Sequence, residues 1–296
     1  SGLPPGERNL TQVFQFPVLY ESLNVAKNLQ FPLKTRGYST AEQRRRGQKT
    51  AELLGITDLL PRKPQSLSLF QKQLVAIGRA LVRPDVALVL LDEPLTAVEP
   101  ATKWQLRRAL KQVQTELGAT MIYVTHDQTE ALTFADQVSV LHQGEILQTD
   151  TPARLVNKPS HEYVASFIGT PGMNLVNGEV RDSSFVVADH VVAQVGNARP
   201  GPCTVGFRPD WAAVVRAPAT GIPVEVVGVR TMGVRARQPV GIVTARLPGA
   251  VSRGAAISLR QDLDVGPGET GVLQIHRAVG FRDSLRMPSG GSDRSA

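Results

Sequence analysis

Residues 86–94 read Val-Ala-Leu-Val-Leu-Leu-Asp-Glu-Pro, an uninterrupted aliphatic run that ends in two adjacent carboxylates. A run without alternation is typical of a strand covered on both faces, as in a parallel sheet. Such sheets place their chemistry at the carboxyl ends of the strands. We therefore expect Asp92 and Glu93 to stand at that edge of an α/β domain.

A second aliphatic run leads to a histidine. Residues 121–124, Met-Ile-Tyr-Val, continue directly into Thr125 and His126. If both runs are neighbouring parallel strands, the imidazole emerges at the same edge as the two carboxylates.

Two adjacent acids suit phosphoryl transfer, because one can face a metal ion while the other accepts from the attacking water. We expect Asp92 to face Mg²⁺ through its water shell and Glu93 to orient or deprotonate the water. His126 would then sense or stabilise a terminal phosphate. The plainer alternatives are that Asp-Glu-Pro forms a polar turn and that the histidine is an ordinary surface residue.

Five stretches of the chain, in this order and spacing, resemble the ATP-binding subunits of ABC transporters. They are 13–15 (Val-Phe-Gln), 67–71 (Leu-Ser-Leu-Phe-Gln), 90–94 (Leu-Leu-Asp-Glu-Pro), 96–99 (Thr-Ala-Val-Glu) and 123–127 (Tyr-Val-Thr-His-Asp). In that family they are similar to the glutamine loop, the signature loop, Walker B, the D-loop and the switch histidine. The resemblance is densest from about Gln12 to Gly172.

The resemblance implies a RecA-like P-loop ATPase that binds ATP and Mg²⁺. It implies that Glu93 is the general base, that His126 is the switch, and that Asp92 and Gln15 are metal-shell and phosphate-sensing groups. Ser68 and Gln71 would contact the nucleotide of a partner ATPase, and Glu99 would lie in the D-loop beside it. These roles of seven residues are expectations carried over from the family.

Finer likenesses point to one branch of the family. Residues 62–64, 75–79 and 127–131 look like the maltose-importer branch, and residues 13–20 with 103–106 are most similar to ATPase subunits of glycerol importers. The branch implies transmembrane permease subunits, a solute-binding protein and a location at the cytoplasmic face of the inner membrane. The transported solute could be glycerol, another polyol or a sugar. The sequence leaves these alternatives open, because the membrane and solute-binding subunits bind the solute.

The phosphate-binding loop of this family is missing from the printed sequence. It has the form Gly-x-x-x-x-Gly-Lys-Ser/Thr, and no Gly-Lys pair occurs in the chain. Family order places that loop before Gln15, so we expect it upstream of Ser1 in the full protein. The chain taken literally should bind ATP poorly.

The signature loop departs from the family pattern. Leu69 and Phe70 stand where two glycines normally allow backbone amides to approach a phosphate. We therefore favour a heterodimer with a second ATPase over a homodimer. The alternative function is that of a catalytically weak or inactive ATPase partner in such a heterodimer. The plainer reading is that Leu69 and Phe70 cap a helix against an apolar surface.

Composition shifts divide the chain into two expected domains. We expect one domain at 1–168 and an all-β domain at 174–296. The resemblance implies that the first is the ATPase domain, with a helical subdomain at about 18–75. It implies that the second is regulatory and similar to an oligonucleotide/oligosaccharide-binding (OB) fold. Arg208 lies in a Gly-Phe-Arg-Pro stretch, 206–209, that looks like the entry to that domain. We expect disorder at 289–296.

Apolar residues at helical spacing and an aromatic loop add two local expectations. Leu106, Leu110, Val113 and Leu117 form one buried stripe of a helix. Phe16, Pro17, Val18 and Tyr20 are candidates for contact with the permease, although they could equally fill the core of the helical subdomain.

Composition narrows the class of protein. The 296 residues carry a net charge of +7, one cysteine and no apolar run near 18 residues, so we expect no internal disulfide and no membrane-spanning segment. The charge permits a nucleic-acid-binding OB-like protein as the runner-up function. We do not favour it, because residues 174–296 hold few aromatic side chains for base stacking and their arginines are dispersed.

Overall fold

A computed structural model describes Gly2, Pro4 and residues 7–96, 98–216, 219–235, 238–247, 256–262 and 264–287. The chain forms two compact units, Ser1–Ala135 and Asp136–Ala296. The expected domain limits at 168 and 174 stay a prediction about the family domains. The expectation of disorder at 289–296 falls outside the described residues.

A three-stranded parallel sheet organises the first unit. Its strands lie in the order β1 (Leu10–Val13), β2 (Leu88–Asp92) and β3 (Met121–Val124). Val13 pairs with Leu91, and Asp92 pairs with Val124. The three carboxyl ends therefore meet at one edge, as the two aliphatic runs predicted.

The described residues of the first unit also form five helices. They are α1 (Val25–Lys34), α2 (Thr40–Leu53), α3 (Leu69–Leu81), α4 (Pro100–Leu117) and α5 (Gln128–Phe134), with 3₁₀ turns at Thr57–Leu59 and Pro64–Ser66. Asn24, Ser39 and Ser68 each accept a hydrogen bond from a backbone N–H in the first turn of the helix that follows, which explains where α1, α2 and α3 begin.

The predicted helical stripe lies on α4. Leu106, Leu110 and Val113 are fully buried in the core of the first unit, together with Val89 and Leu91 of β2. The side chain of Leu117 falls outside the described residues. The spacing therefore identified both the helix and the face that packs on the sheet.

The expectation that β2 is covered on both faces is wrong for the described residues. Val89 and Leu91 are buried, whereas Leu88 and Leu90 are half-buried. The same face carries Ile122 and Val124 of β3, which are 51% and 54% exposed. An aliphatic run indicates that both faces of a strand are apolar, but it does not indicate what covers them.

The second unit begins with a hairpin and two short helices. Strands β4 (Val138–His142) and β5 (Glu145–Asp150) pair in antiparallel fashion, and helices α6 (Pro152–Asn157) and α7 (Glu162–Phe167) follow. The turn between the strands uses Gln143 and Gly144, both with positive φ, as the sequence indicated.

Beyond these helices, the described part of the second unit forms two antiparallel sheets. The six-stranded sheet has the order β16-β15-β9-β6-β7-β8 and the five-stranded sheet has the order β10-β14-β11-β12-β13. The strands are β6 (Asn174–Arg181), β7 (Ser184–Val187), β8 (His190–Gln194), β9 (Gly201–Phe207), β10 (Ala212–Val215), β11 (Ile222–Arg235), β12 (Gln238–Arg246), β13 (Ile257–Asp262), β14 (Thr270–Ile275), β15 (Val279–Arg282) and β16 (Leu285–Arg286).

One apolar cluster joins these two sheets. Phe207 and Phe281 come from the six-stranded sheet, and Val243 and Leu259 come from the five-stranded sheet. All four side chains are fully buried. The strand-rich C-terminal region is thus confirmed, while its likeness to an OB fold stays a prediction.

Candidate functional site

Glu93 and His126 meet at the carboxyl edge of the parallel sheet. The Nδ1 atom of His126 lies 3.0 Å from Oε1 of Glu93. A carboxylate can only accept, so the imidazole must carry the hydrogen on Nδ1 in this contact. The two residues are 33 positions apart in the chain, and parallel pairing of β2 with β3 brings them together.

The backbone of Glu93 adopts a conformation that is uncommon for a residue with a side chain. Its φ is +44°, in the left-handed region. Its N–H donates to the Val124 carbonyl at 2.9 Å, and its own carbonyl accepts from the N–H of Thr96 at 3.1 Å. The strand ladder and the following turn therefore hold the carboxylate at the sheet edge in a strained backbone, a feature that clusters at functional sites.

Two hydrogen bonds make Glu93 a stronger acid. The contact with His126, followed by the hydroxyl of Thr96, which donates to Oε2 at 3.0 Å, lowers the pKa of Glu93 below its ordinary value. The carboxylate is therefore charged at neutral pH. Thr96 belongs to the D-loop stretch by sequence, and its contact with Glu93 was not anticipated.

Asp92 and Gln15 lie at the same edge. Asp92 is the last residue of β2 and is exposed, and Gln15 is half-buried two positions beyond Val13, the last residue of β1. The two residues follow Val13 and Leu91, the last residues that β1 and β2 pair with each other, so both lie at the edge that carries Glu93. Among the described residues, no group of three or more His, Cys, Asp or Glu side chains could hold a metal ion by itself.

Ser68 and Gln71 are placed at the start of α3, where they bond to each other. The Ser68 hydroxyl accepts from the N–H of Gln71 at 3.2 Å, and Oε1 of Gln71 accepts from the N–H of Ser68 at 3.0 Å. This reciprocal pair is a capping box. Leu69 is 43% exposed, whereas Phe70 packs partly against the core.

Glu99 lies at the N-terminus of α4. It is the residue before Pro100, its side chain is exposed, and its carbonyl accepts from the hydroxyl of Thr102 at 3.0 Å. Ala97, in the same D-loop stretch, falls outside the described residues. Thr96, Val98 and Glu99, the described residues of this stretch, therefore lie between Leu95 and the start of α4.

The loop after Gln15 presents apolar side chains at the surface. Phe16 is 65% exposed and Val18 is 60% exposed, while Pro17 is half-buried. Tyr20 is partly held, because its ring lies 4.4 Å from that of Phe31. The alternative that these residues fill the core is therefore wrong for Phe16 and Val18.

The sequence matches a family model described as ABC transporter over residues 4–96. The chain belongs to the ABC transporter family. The match includes the stretches that resemble the glutamine loop, the signature loop and Walker B. It ends before His126, which the structure brings to Glu93.

Curated relatives extend the likeness. The sn-glycerol-3-phosphate import ATP-binding protein UgpC of Vibrio vulnificus (strain CMCP6) is 43% identical over 212 residues, which cover 71% of this chain and 57% of the relative. The trehalose/maltose import ATP-binding protein MalK of Thermococcus litoralis is 44% identical over 185 residues, 62% of this chain and 49% of the relative. The diacetylchitobiose uptake system ATP-binding protein MsiK of Streptomyces coelicolor is 40% identical over 220 residues, 72% of this chain and 58% of the relative.

This ABC-family chain thus spans about half to three fifths of the length of these relatives. In the part of the chain that the structure describes, no helix has both the length and the apolar character that a bilayer-spanning helix needs.

Proposed function

We propose that the whole protein is the ATP-hydrolysing motor subunit of an ABC importer. The observation that carries this proposal is the contact between Glu93 and His126 at the carboxyl edge of the parallel sheet. Family membership supports ATP as the substrate, and the names of the relatives support import as the process that ATP drives.

The chemistry assigned to this edge is attack of water on the terminal phosphate. A water oxygen bonds to phosphorus, the bond to the bridging oxygen breaks, and Glu93 orients the water and accepts its proton. Because its pKa is lowered, Glu93 acts first as a charged hydrogen-bond acceptor and takes the proton only as the new bond forms. His126 would donate to the terminal phosphate through Nε2 in its doubly protonated form, because Nδ1 already donates to Glu93 and a neutral ring has only one N–H.

The residues at this edge fit a magnesium ion that arrives with the nucleotide. Asp92 and Gln15 offer oxygen donors, and Mg²⁺ is usually held by one or two carboxylates together with water and phosphate oxygens. When bound, the ion would neutralise charge on the phosphates. A dedicated protein cage is not required for that role.

The solute is proposed to be a carbohydrate or a polyol derivative. The three relatives are named for import of sn-glycerol-3-phosphate, of trehalose and maltose, and of diacetylchitobiose. Their shared chemistry is a polyhydroxylated small molecule. Glycerol itself stays a prediction from likeness, since subunits other than this one would bind the solute.

The exposed loop at 16–20 is the proposed contact with the transmembrane permease. The exposed residues Phe16 and Val18 lie one and three positions after Gln15. A partner bound to this loop would therefore be only a few residues from the carboxyl edge of the parallel sheet. Docking there would place the protein at the cytoplasmic face of the membrane as a peripheral subunit. A solute-binding protein would act through the permease.

The second ATPase subunit is proposed to be a different chain. Support comes from Leu69, which is exposed at the start of α3 where a partner's phosphate would need close backbone approach. The capping box uses the side chains of Ser68 and Gln71, which leaves the first N–H groups of the helix as the contribution to a partner site. High ATPase activity of the natural protein as a homodimer would contradict this assignment.

We infer that the nucleic-acid alternative is the weaker one, because the aromatic side chains of the β-rich region are buried. The four aromatic residues of 174–296 are Phe185, Phe207, Trp211 and Phe281. Each is at most 9% exposed, so none can form the surface platform on which single-stranded bases stack.

The test uses the whole gene product, reconstituted with its permease in proteoliposomes. Glu93→Gln should lower ATP turnover by about 10²- to 10⁴-fold and trap ATP-bound dimers, because the amide cannot accept the proton. Glu116→Gln, an exposed residue of α4, should leave turnover unchanged. Ordinary turnover in Glu93→Gln would remove Glu93 from its role, and lack of any ATP-driven uptake would refute the importer.

A further inference from the structure

A buried carboxylate lies behind the histidine loop and takes no part in the chemistry above. Glu130, in α5, is only 3% exposed. Its Oε2 accepts from the hydroxyl of Tyr123 at 2.9 Å and from the hydroxyl of Thr125 at 2.9 Å. Its Oε1 lies 3.4 Å from Nζ of Lys103, on α4. One ion pair and two hydrogen bonds in the first unit therefore involve the Glu130 carboxylate.

A carboxylate in such a place needs a structural or functional reason, because burying a charge is costly unless it is paired and hydrogen-bonded. Both hydroxyls must donate, since a carboxylate cannot. Burial, and then the negative charge of Glu130, raise the pKa of Tyr123 well above its ordinary value, so this phenol stays a donor. The network thus has one arrangement of hydrogens, which favours a single geometry.

Thr125 passes this constraint to the backbone around His126. Its hydroxyl donates to Glu130 and accepts from the N–H of Asp127 at 3.0 Å. The Asp127 carboxylate in turn accepts from the N–H groups of Thr129 and Glu130 at 2.8 and 3.2 Å. The residues on both sides of His126 are therefore fixed to the start of α5.

Burial does not hold the imidazole itself. The His126 side chain is 69% exposed, and its contact with Glu93 needs the loop to stay in place. An exposed ring on an unconstrained loop would sample several rotamers and lose most of that contact to solvent.

We propose that Glu130 and Thr125 are positioning residues that hold His126 against Glu93, and that Lys103 ties this arrangement to α4. Since α4 begins directly after Glu99, a movement of the D-loop stretch would reach the histidine through Lys103 and Glu130. The geometric part concerns this chain alone, and only its consequence for ATP turnover rests on the proposed function.

The tautomer of His126 shows whether its ring contacts Glu93, and it can be measured in the absence of nucleotide. In chain labelled with ¹⁵N-histidine, two-bond ¹H–¹⁵N spectra at a pH where the ring is neutral should show His126 mainly as the Nδ1–H form, because Glu93 accepts from Nδ1. His126→Gln identifies the signal among the five histidines.

Three variants and one control separate positioning from folding. Thr125→Val and Glu130→Gln should shift His126 to the mixture of tautomers of a solvated imidazole. Thr125→Ser keeps the hydroxyl and should keep the Nδ1–H form, as should Glu116→Gln, which removes the same charge from an exposed site of α4. An unchanged tautomer in folded Thr125→Val and Glu130→Gln would overturn the proposal, as would loss of the Nδ1–H form in Thr125→Ser.

The consequence for turnover is measured in the whole, reconstituted protein. Thr125→Val should lower kcat by about 10- to 100-fold with little change in KM for ATP, and Thr125→Ser should restore it, as expected for a misplaced group that does not bind the ground state. A shifted tautomer with unchanged kcat would refute the turnover role of His126 and leave the positioning network standing. An unchanged tautomer together with a strong Glu93→Gln defect would refute the network and leave the ATPase function standing.

Discussion

Arg208 offers a quantitative test of how the second unit is built. This guanidinium is 3% exposed and points at the ends of two helices. Its Nε and Nη2 donate to the Val156 carbonyl at 3.0 and 2.8 Å, and its Nη1 donates to the carbonyls of Ala165 at 3.1 Å and of Ile168. Arg208 directly follows β9, and its side chain thus connects this strand to α6 and to the C-terminal end of α7.

The cost of Arg208→Met follows from counting the carbonyls left without a donor. Ala165 keeps the N–H of Met173 at 3.0 Å, so two carbonyls, those of Val156 and Ile168, lose the donors described above. A buried acceptor without a partner costs about 1–3 kcal/mol, which gives about 2–6 kcal/mol. Burial lowers the pKa of Arg208 to about 10, so removing the charge recovers part of that cost. We expect a net loss of about 3 kcal/mol in the free energy of unfolding.

Urea unfolding measures this loss in one unit at a time. The chain has two tryptophans, exposed Trp104 in the first unit and buried Trp211 in the second, so Trp104→Phe leaves Trp211 as the reporter. With a slope of about 2 kcal/mol per M, the midpoint should fall by about 1.5 M. Arg216→Met, which breaks an exposed ion pair with Glu269, should change stability by less than about 1 kcal/mol. Equal midpoints for Arg208→Met and Arg216→Met would refute the reasoning.

Three further outcomes are expected. Phe16→Ser should weaken binding of the whole protein to its permease in nanodiscs by about 100-fold. The reason is that burying about 130 Å² of exposed ring, at about 25 cal/mol per Å², contributes about 3 kcal/mol to binding. Val191→Ser, at an exposed site of the second unit, is the control, and an equal loss of binding in it would show that the loop is not in the interface. Glu42 has its pKa lowered from 4.5 to about 2, first by its hydrogen bond with Arg45, so its stabilising contribution is present above about pH 4.5 and is lost as the pH falls toward 2. Thermal midpoints of Glu42→Gln should therefore vary less than wild type across that window, and parallel curves would contradict the assignment. Gly172→Ala should destabilise the second unit by more than about 3 kcal/mol, since the added Cβ would lie 1.9 Å from the Ser166 carbonyl oxygen. Gly233→Ala is the control, because no atom lies within 4 Å of its added Cβ. Similar unfolding midpoints for the two variants would show that the backbone at Gly172 can move.

Much of the first unit could be predicted because its signals are local. The aliphatic runs fixed β2 and β3, and the spacing of Leu106, Leu110 and Val113 fixed the buried face of α4. Parallel pairing then brought the carboxyl ends together without further information.

The parts that could not be predicted depend on contacts between distant residues or on backbone conformation. The left-handed φ of Glu93 has no sequence signal, since this residue type rarely adopts it. Glu130 is a helical residue of ordinary polarity by sequence, and only packing of α4 on α5 shows that it is buried beside Lys103. The expectation that both faces of β2 are covered was wrong, because apolar side chains on a face do not show which element, if any, packs against it.

Glu93 and His126 are proposed to act together on the terminal phosphate of ATP. A structure of the whole protein with ATP and Mg²⁺ bound, in the Glu93→Gln form to slow turnover, tests this most directly. In that structure, residue 93 should lie beside the attacking water and the His126 imidazole should lie within hydrogen-bond distance of the terminal phosphate. A nucleotide bound away from this sheet edge, with neither side chain near its phosphates, would contradict it.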